Sequence, residues 1–204
     1  NCEKVLVAIG VRSNIEDIGL ESMSIAVQDG GIQVDDVMRT NVANVYAIGD
    51  VTGKLALAHV ASAQAAIAVE NMAGLETQAL DYGSIPRATY CNPQIASFGL
   101  TEVQAKEQGH DVQIGTFNVM ANGKALAMGE SEGIVKLVTD SKYGELLGAH
   151  MIGPEVTELL GELSLAKLLE ATTLELGWAV HPHPSMSEML KEAALAAQGR
   201  AIHM

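Results

Sequence analysis

The run Asn44-Val45-Tyr46-Ala47-Ile48-Gly49-Asp50 is followed, after a short connection, by the Ala-rich stretch from Leu57 to Met72. That succession decides the fold class of the first part of the chain. A β-rich apolar run that stops at a Gly-Asp corner has the pattern of a buried strand in an α/β sheet. Leu57 to Met72 contains neither Pro nor Gly and reads as a helix packed closely on such a sheet, with Gly74 as its C′ residue. Upstream, Lys4 to Gly10 (KVLVAIG) has the pattern of a central parallel strand, Gly30-Gly31 marks a tight turn, and Ile32 to Val34 forms a further short strand.

Downstream the rhythm changes. Leu80 to Pro86 carries Asp81, Gly83, Ser84 and Pro86 and reads as a linker, so the chain divides into residues 1–82 and 83–204. Beyond it lie five short strand candidates: Ala88 to Tyr90, Ile95 to Gly99, Val112 to Val119, Ile134 to Thr139 and Leu146 to Ile152, with Tyr143-Gly144 supplying a turn between the last two. Thr101 to Gly109 reads as a helix with Thr101 as N-cap and Gly109 as stop. Pro154 stands where a first helical residue would, ahead of a helical run from Glu155 to Ala171 with apolar residues at Leu159, Leu163, Leu165, Leu168 and Leu169. Ser187 to Ala197 closes the chain as a last helix, capped by Ser187. The second part is therefore α+β, with helices on one face of an antiparallel sheet.

The 204 residues are 48% hydrophobic and 18% charged, which allows a sizeable core and argues against disorder. With 3% aromatic residues, that core is built from small and aliphatic side chains. A formal net charge of −13 excludes general attraction to a nucleic-acid backbone. No apolar run approaches the roughly 18–20 residues of a membrane span, and the start shows no signal-peptide pattern. The opening NCEKVLVAIG, without an initiator Met, leads to the expectation of a processed or truncated start. Cys2 and Cys91 form no Cys-x-x-Cys pair and fit two free thiols in a reducing cytoplasm.

Three places carry candidate chemistry. Asp50, just past a strand end, suits a polyol or ribose hydroxyl, and equally a surface turn or a helix cap. Ala56, Leu57, Ala58 and His59 open the long helix, whose first N–H groups have no internal partner and can receive an anionic or carbonyl oxygen. A structural histidine is the other reading of His59. The third place is His181-Pro182-His183-Pro184-Ser185-Met186-Ser187-Glu188. The prolines hold both imidazoles in a rigid non-helical segment, and Glu188 falls in the first turn of a helix, where it can orient the His183 ring and support its charge, as a general base requires. Zinc ligation by His181 and His183, or a purely structural role, stays open. No second Cys/His pair with ligand spacing accompanies them.

Taken in order, VLVAIG with Arg12, NVYAIGD, the Leu57-Ala58-His59 helix start, YCNPQIASFGLTE from Tyr90 to Glu102, and HPHPSMSE resemble the pyridine nucleotide–disulfide oxidoreductase family over essentially the whole chain. The ending is most similar to that of the dihydrolipoyl dehydrogenases, which carry His-x-His-Pro-Thr-x-Ser-Glu; Ser185 stands for the Thr. Glutathione reductases end similarly, without the paired first His. The family's Gly-Arg-x-Pro-Asn is here Gly10-Val11-Arg12-Ser13-Asn14, keeping the glycine but not the first Arg or the Pro.

The resemblance implies the edge of an NAD domain and the returning segment of a doubly wound FAD-binding domain in residues 1–82. Residues 83–204 would be an antiparallel-sheet interface domain that forms a homodimer. It implies FAD and NAD as cofactors, with Gly10, Asp50 and Ala56 to His59 on the cofactor side; the histidine and cysteine spacing leads to the expectation of no metal site. His183 would be the catalytic base, Glu188 its orienting carboxylate and His181 an accessory. The implied reaction is oxidation of dihydrolipoamide, borne by a protein of a 2-oxo acid dehydrogenase or similar complex, with NAD+. The family's GxGxxG loop and redox Cys-x4-Cys are not in these residues, so the chain alone is expected to be inactive. A glutathione-reductase-like enzyme, or a dimerisation module without activity, are the alternatives.

Overall fold

The computed structural model describes residues 1–203, which form two compact units, Asn1–Tyr82 and Gly83 onward. In the first unit, β1 (Val27–Gln28) and β2 (Gly31–Ile32) make a two-residue antiparallel ladder. The turn between them is Asp29-Gly30, not Gly30-Gly31. Both residues have positive φ, 52° and 78°, as a tight hairpin of primed type needs. Leu20, Ile32 and Ala47 form the small core here, with Ile15, Ile25, Val34 and Val51 against it. Helix α1 spans Ala58–Met72. It ends in a Schellman arrangement: Gly74 N–H donates to Asn71 O and Leu75 N–H to Glu70 O, with Gly74 at φ 73°.

Two expected strands of this unit are not formed. Lys4 to Gly10 forms neither strand nor helix and is exposed throughout, with Val5, Leu6, Val7 and Ile9 each more than 70% accessible. A central strand needs a hydrogen-bonding neighbour on each edge and cover on both faces, and no described residue supplies either. Asn44 to Asp50 contributes only an isolated bridge, Tyr46 to Arg39, before Gly49–Thr52 winds into a 3₁₀ turn. Helix α1 therefore packs on that turn and not on a sheet. Its Gln64 is fully buried, accepts from the Gly49 N–H at 2.5 Å, and donates to the Tyr82 hydroxyl at 2.8 Å.

The second unit is built on a five-stranded antiparallel sheet. Its strands are β3 (Arg87–Thr89), β4 (Gln94–Gly99), β5 (Val112–Asn118), β6 (Ile134–Asp140) and β7 (Leu146–Gly153), in the order β3-β4-β7-β6-β5. Alternation sends Ala96, Phe98, Phe117, Val135, Leu137, Ala149 and Met151 to one face, where they form the main core with the helices. Those helices are α4 (Leu160–Leu168), α5 (Thr173–Trp178) and α6 (Glu188–Ala197). On the other face a smaller cluster joins Val138 and Leu147 to Ala105 of α2 (Glu102–Glu107). Thr101 caps α2 in a full capping box with Gln104. Gly115 on β5 lets α6 approach closely: a Cβ there would run into Ala193 O and lie 2.8 Å from Ala197.

Several details of the second unit differ from expectation, beginning with α2, which packs on the sheet face opposite α4, α5 and α6 and so does not share one face with them. The helix anticipated from Glu155 to Ala171 starts only at Leu160, because Gly153 (φ 154°) and Glu155 (φ 54°) hold Pro154 in a turn. The Leu159–Leu169 stripe is split: Leu159, Leu160 and Leu163 are core, while Leu165, Leu168 and Leu169 face outward. Ser187 already has helical φ/ψ and caps nothing through its side chain; its hydroxyl lies 3.0 Å from that of Ser185. Two further short helices were not anticipated, α5 and α3 (Gly123–Met128); Thr172 caps the first and Asn122 the second.

Candidate active site

The connection from α5 to α6 brings His183 and Glu188 together. Ser185-x-x-Glu188 has the spacing of a capping box, and the structure uses its returning arm. Glu188 Oε2 accepts the Ser185 N–H at 2.9 Å, and the same carboxylate meets His183 Nδ1 at 3.0 Å. The carboxylate only accepts, so Nδ1 carries the proton and donates. Nε2 of His183 is then the basic nitrogen. It makes no hydrogen bond among the described residues, on a side chain that is 76% exposed. Burial alone would raise the Glu188 carboxyl, but the Ser185 N–H, the His183 ring and the nearby charge of His183 and His181 outweigh it and hold it below the usual range. The His183–Pro184 peptide bond is cis.

His181 is placed differently. Its side chain is 6% exposed, and its Nε2 lies 2.8 Å from Glu162 Oε1 on α4. Its Nδ1 is buried, with no hydrogen-bond partner among the described residues. The two imidazoles thus present opposite nitrogens to their carboxylates, and only His183 has a basic nitrogen within reach of a second molecule. Both rings line a cavity of about 250 Å³ shared with Phe117, Asn122, Glu188 and His203. Asn122 joins α3 to this loop: it accepts the Ala125 N–H and donates to Ser185 O, both at 2.9 Å. Glu192 on α6 accepts the N–H groups of Ile202 and His203 and faces His203 Nδ1, each at 3.0 Å. Burial raises the Glu192 carboxyl, and these bonds bring it below the ordinary value.

In the first unit Asp50 is exposed on the 3₁₀ turn, and its carbonyl accepts from Ser13 Oγ at 2.6 Å. Leu57 is the N-cap of α1 and offers no side-chain cap. Ala56, Ala58 and His59 are exposed, while the Leu57 amide is already used, donating to Leu55 O at 2.9 Å. Gly10 stands in the exposed N-terminal stretch, with nothing within 4 Å of where a Cβ would be. Among the described residues, no cluster of three or more His, Cys, Asp or Glu could hold a metal ion.

The sequence reading missed Glu162, Glu192, His203, Asn122 and Gln64. Only Asn122 had a local signal, as a cap residue ahead of a short helical run. The others act across distant elements. For Glu188 the Ser-x-x-Glu spacing was the overlooked sign of how its carboxylate is aimed.

A family model for the pyridine nucleotide-disulphide oxidoreductase dimerisation domain matches residues 85–194, and one for the pyridine nucleotide-disulphide oxidoreductases matches residues 1–65. The chain belongs to the pyridine nucleotide–disulfide oxidoreductase family. Among curated relatives of this family, the dihydrolipoyl dehydrogenase of Bacillus subtilis (strain 168) is 52% identical over 203 residues, covering 100% of this chain and 43% of that protein. The dihydrolipoyl dehydrogenase of Mycobacterium leprae (strain TN) is 55% identical over 192 residues, 93% of this chain and 41% of that protein. The chain thus spans less than half the length of these relatives. Among solved structures, the HOCl-induced flavoprotein disulfide reductase RclA from Escherichia coli superimposes with a TM-score of 0.85 at 28% identity, covering 90% of this chain and 42% of that one. LpdA from Mycobacterium tuberculosis does so with a TM-score of 0.84 at 27% identity, over 90% of this chain and 40% of that one. No helix among the described residues is long and apolar enough to cross a membrane.

Proposed function

We propose that this chain is the C-terminal part of a dihydrolipoyl dehydrogenase, an FAD- and NAD-dependent enzyme that oxidises protein-bound dihydrolipoamide. The observation that carries this reading is the His183–Glu188 pair, with Nδ1–H fixed on the carboxylate and Nε2 free at an exposed position. A thiol is a poor nucleophile until it loses its proton. His183 Nε2 takes that proton from the dithiol substrate, and Glu188 stabilises the imidazolium that results. The thiolate would attack the redox disulfide of the family's Cys-x4-Cys, which lies outside these residues, displacing one of its sulfurs as thiolate, and flavin, when bound, would supply the acceptor for the electron pair on its way to NAD+.

The first unit fits a flavin contact in three respects. Asp50 is an exposed carboxylate at a Gly-Asp corner, Gln64 takes up the Gly49 N–H, and the start of α1 has no side-chain cap. In this reading the Asp50 carboxylate accepts from a ribityl hydroxyl, and Ala56, Ala58 and His59 face the flavin with their backbone. Gly10 belongs to the NAD side, where its missing side chain allows close approach. Residues 83–204 act as the interface domain of a homodimer, and the outward Leu165, Leu168 and Leu169 form its candidate contact face. A reducing cytoplasm accords with Cys2 and Cys91, which are free and exposed.

The test is NAD+ reduction by the complete protein with dihydrolipoamide as donor. Turnover with dihydrolipoamide supports the reading. Turnover confined to glutathione disulfide with a reduced nicotinamide would overturn it in favour of a glutathione-reductase-like enzyme.

A further inference from the structure

The loop that carries His183 is tied down on both sides. On its C-terminal side Ser185 is held by Asn122 and by Glu188. On its N-terminal side, among residues 180–182, the hydrogen bond that reaches another element is His181 Nε2 to Glu162 of α4. We propose that the Glu162–His181 pair is a brace that keeps His183 in register with Glu188, which makes Glu162 and His181 positioning residues for the base. The inference rests on the reading of His183 as that base.

The chemistry of the pair supports a brace and not a second base. Glu162 accepts only, so His181 donates from Nε2, and the lone pair of the neutral ring lies on Nδ1. That atom is buried and without a partner among the described residues, out of reach of a substrate thiol. The ring is wedged in place, with 6% of its side chain exposed. One residue separates it from His183, and that residue is Pro182, whose ring fixes φ. A displacement of His181 is therefore passed on to His183 with little slack. The anchor is itself firm: Leu160 and Leu163, on either side of Glu162, are core residues. Glu188 leaves the same core through Met189 and Leu190. The base and its carboxylate thus hang from two helices of one core, and Glu162 is the tie to the first.

The tie can be read in this chain without flavin. A long-range ¹H–¹⁵N spectrum of the labelled chain at pH 8.5, above the ordinary imidazole range near about 6.5, reports the tautomer of each ring. His181 is expected as Nε2–H and His183 as Nδ1–H. Glu162→Leu should move at least half of the His183 signal to the Nε2–H form, whereas Glu162→Gln, which keeps an acceptor oxygen, should hold it as in the parent. If Glu162→Leu unfolds the chain, His181→Ala is read in the same way. An unchanged His183 tautomer in a folded Glu162→Leu or His181→Ala chain would overturn the brace. Failure of the base assignment would show elsewhere, as full activity of His183→Gln in the complete enzyme, with the tautomer coupling intact.

Discussion

Gly115→Ala is a small change with a large expected effect. The residue lies on β5 where α6 comes closest, and its added Cβ would collide with Ala193 O and stand 2.8 Å from both N and Cβ of Ala197. Ordinary carbon contacts begin at about 3.5 Å, so α6 must withdraw by roughly 0.7 Å at Ala197, and further at Ala193. Its inner face cannot follow without loss, because Met189, Leu190, Ala193 and Ala194 are fully buried in the main core. Overpacking of this kind costs about 1–3 kcal/mol. The backbone contact puts Gly115→Ala near the top of that range, a fall in Tm of roughly 10 °C. Gly161→Ala is the control. Gly161 lies inside α4, is exposed, and has nothing within 4 Å of where a Cβ would stand. There the same substitution should stabilise by about 0.5–1 kcal/mol. Urea and thermal unfolding followed by circular dichroism measure both. A Gly115→Ala chain within about 0.5 kcal/mol of the parent would refute the claim that β5 and α6 meet at backbone distance.

Asn122→Ala removes the cap of α3 and the bond to Ser185 O together, so it should cost about 1–2 kcal/mol in urea unfolding; a neutral result would count against the cap. Glu102, bonded to Lys106 and Lys136, has its carboxyl lowered to about 2 by those side-chain hydrogen bonds and charges. Its folded value is depressed, so its contribution is present above the ordinary carboxylate range and is lost as pH falls from about 4.5 toward 2. The difference in stability between the parent and Glu102→Gln should therefore shrink over that window, and a constant difference would contradict the assignment. In the complete protein, Asp50→Ala should remove a charge-assisted bond of about 1.5–3 kcal/mol and release flavin on dialysis; flavin content equal to that of the parent would argue against Asp50 as a ligand.

The second unit was readable where an element satisfies itself locally. Thr101 and Gln104 complete their own capping box, Gly144 turns the β6–β7 hairpin at φ 71°, and alternation turns Ala96 and Phe98 of β4 and Gly115 and Phe117 of β5 to the buried face. Both strands misread in the first unit misled for one reason. KVLVAIG and NVYAIGD have the composition of buried strands, but a strand exists only beside another strand, and composition does not report whether a neighbour is there. Gly74 was legible as a helix stop because a Schellman turn needs nothing outside the helix end. At the site, His183 and Glu188 were legible as residue types in a rigid segment. The reach of Glu162 to His181 and of Gln64 to Gly49 was not, since neither contact leaves a periodic or spacing signal in the chain.

The central claim is that His183 Nε2 is the base that deprotonates a dithiol substrate. Steady-state oxidation of dihydrolipoamide by the complete enzyme, with His183→Gln compared with the parent and with His181→Gln, tests it most directly. The account predicts a fall of about 10²–10⁴-fold for His183→Gln with flavin still bound, and a much smaller fall for His181→Gln. A His183→Gln enzyme as fast as the parent, or one less impaired than His181→Gln, would contradict it.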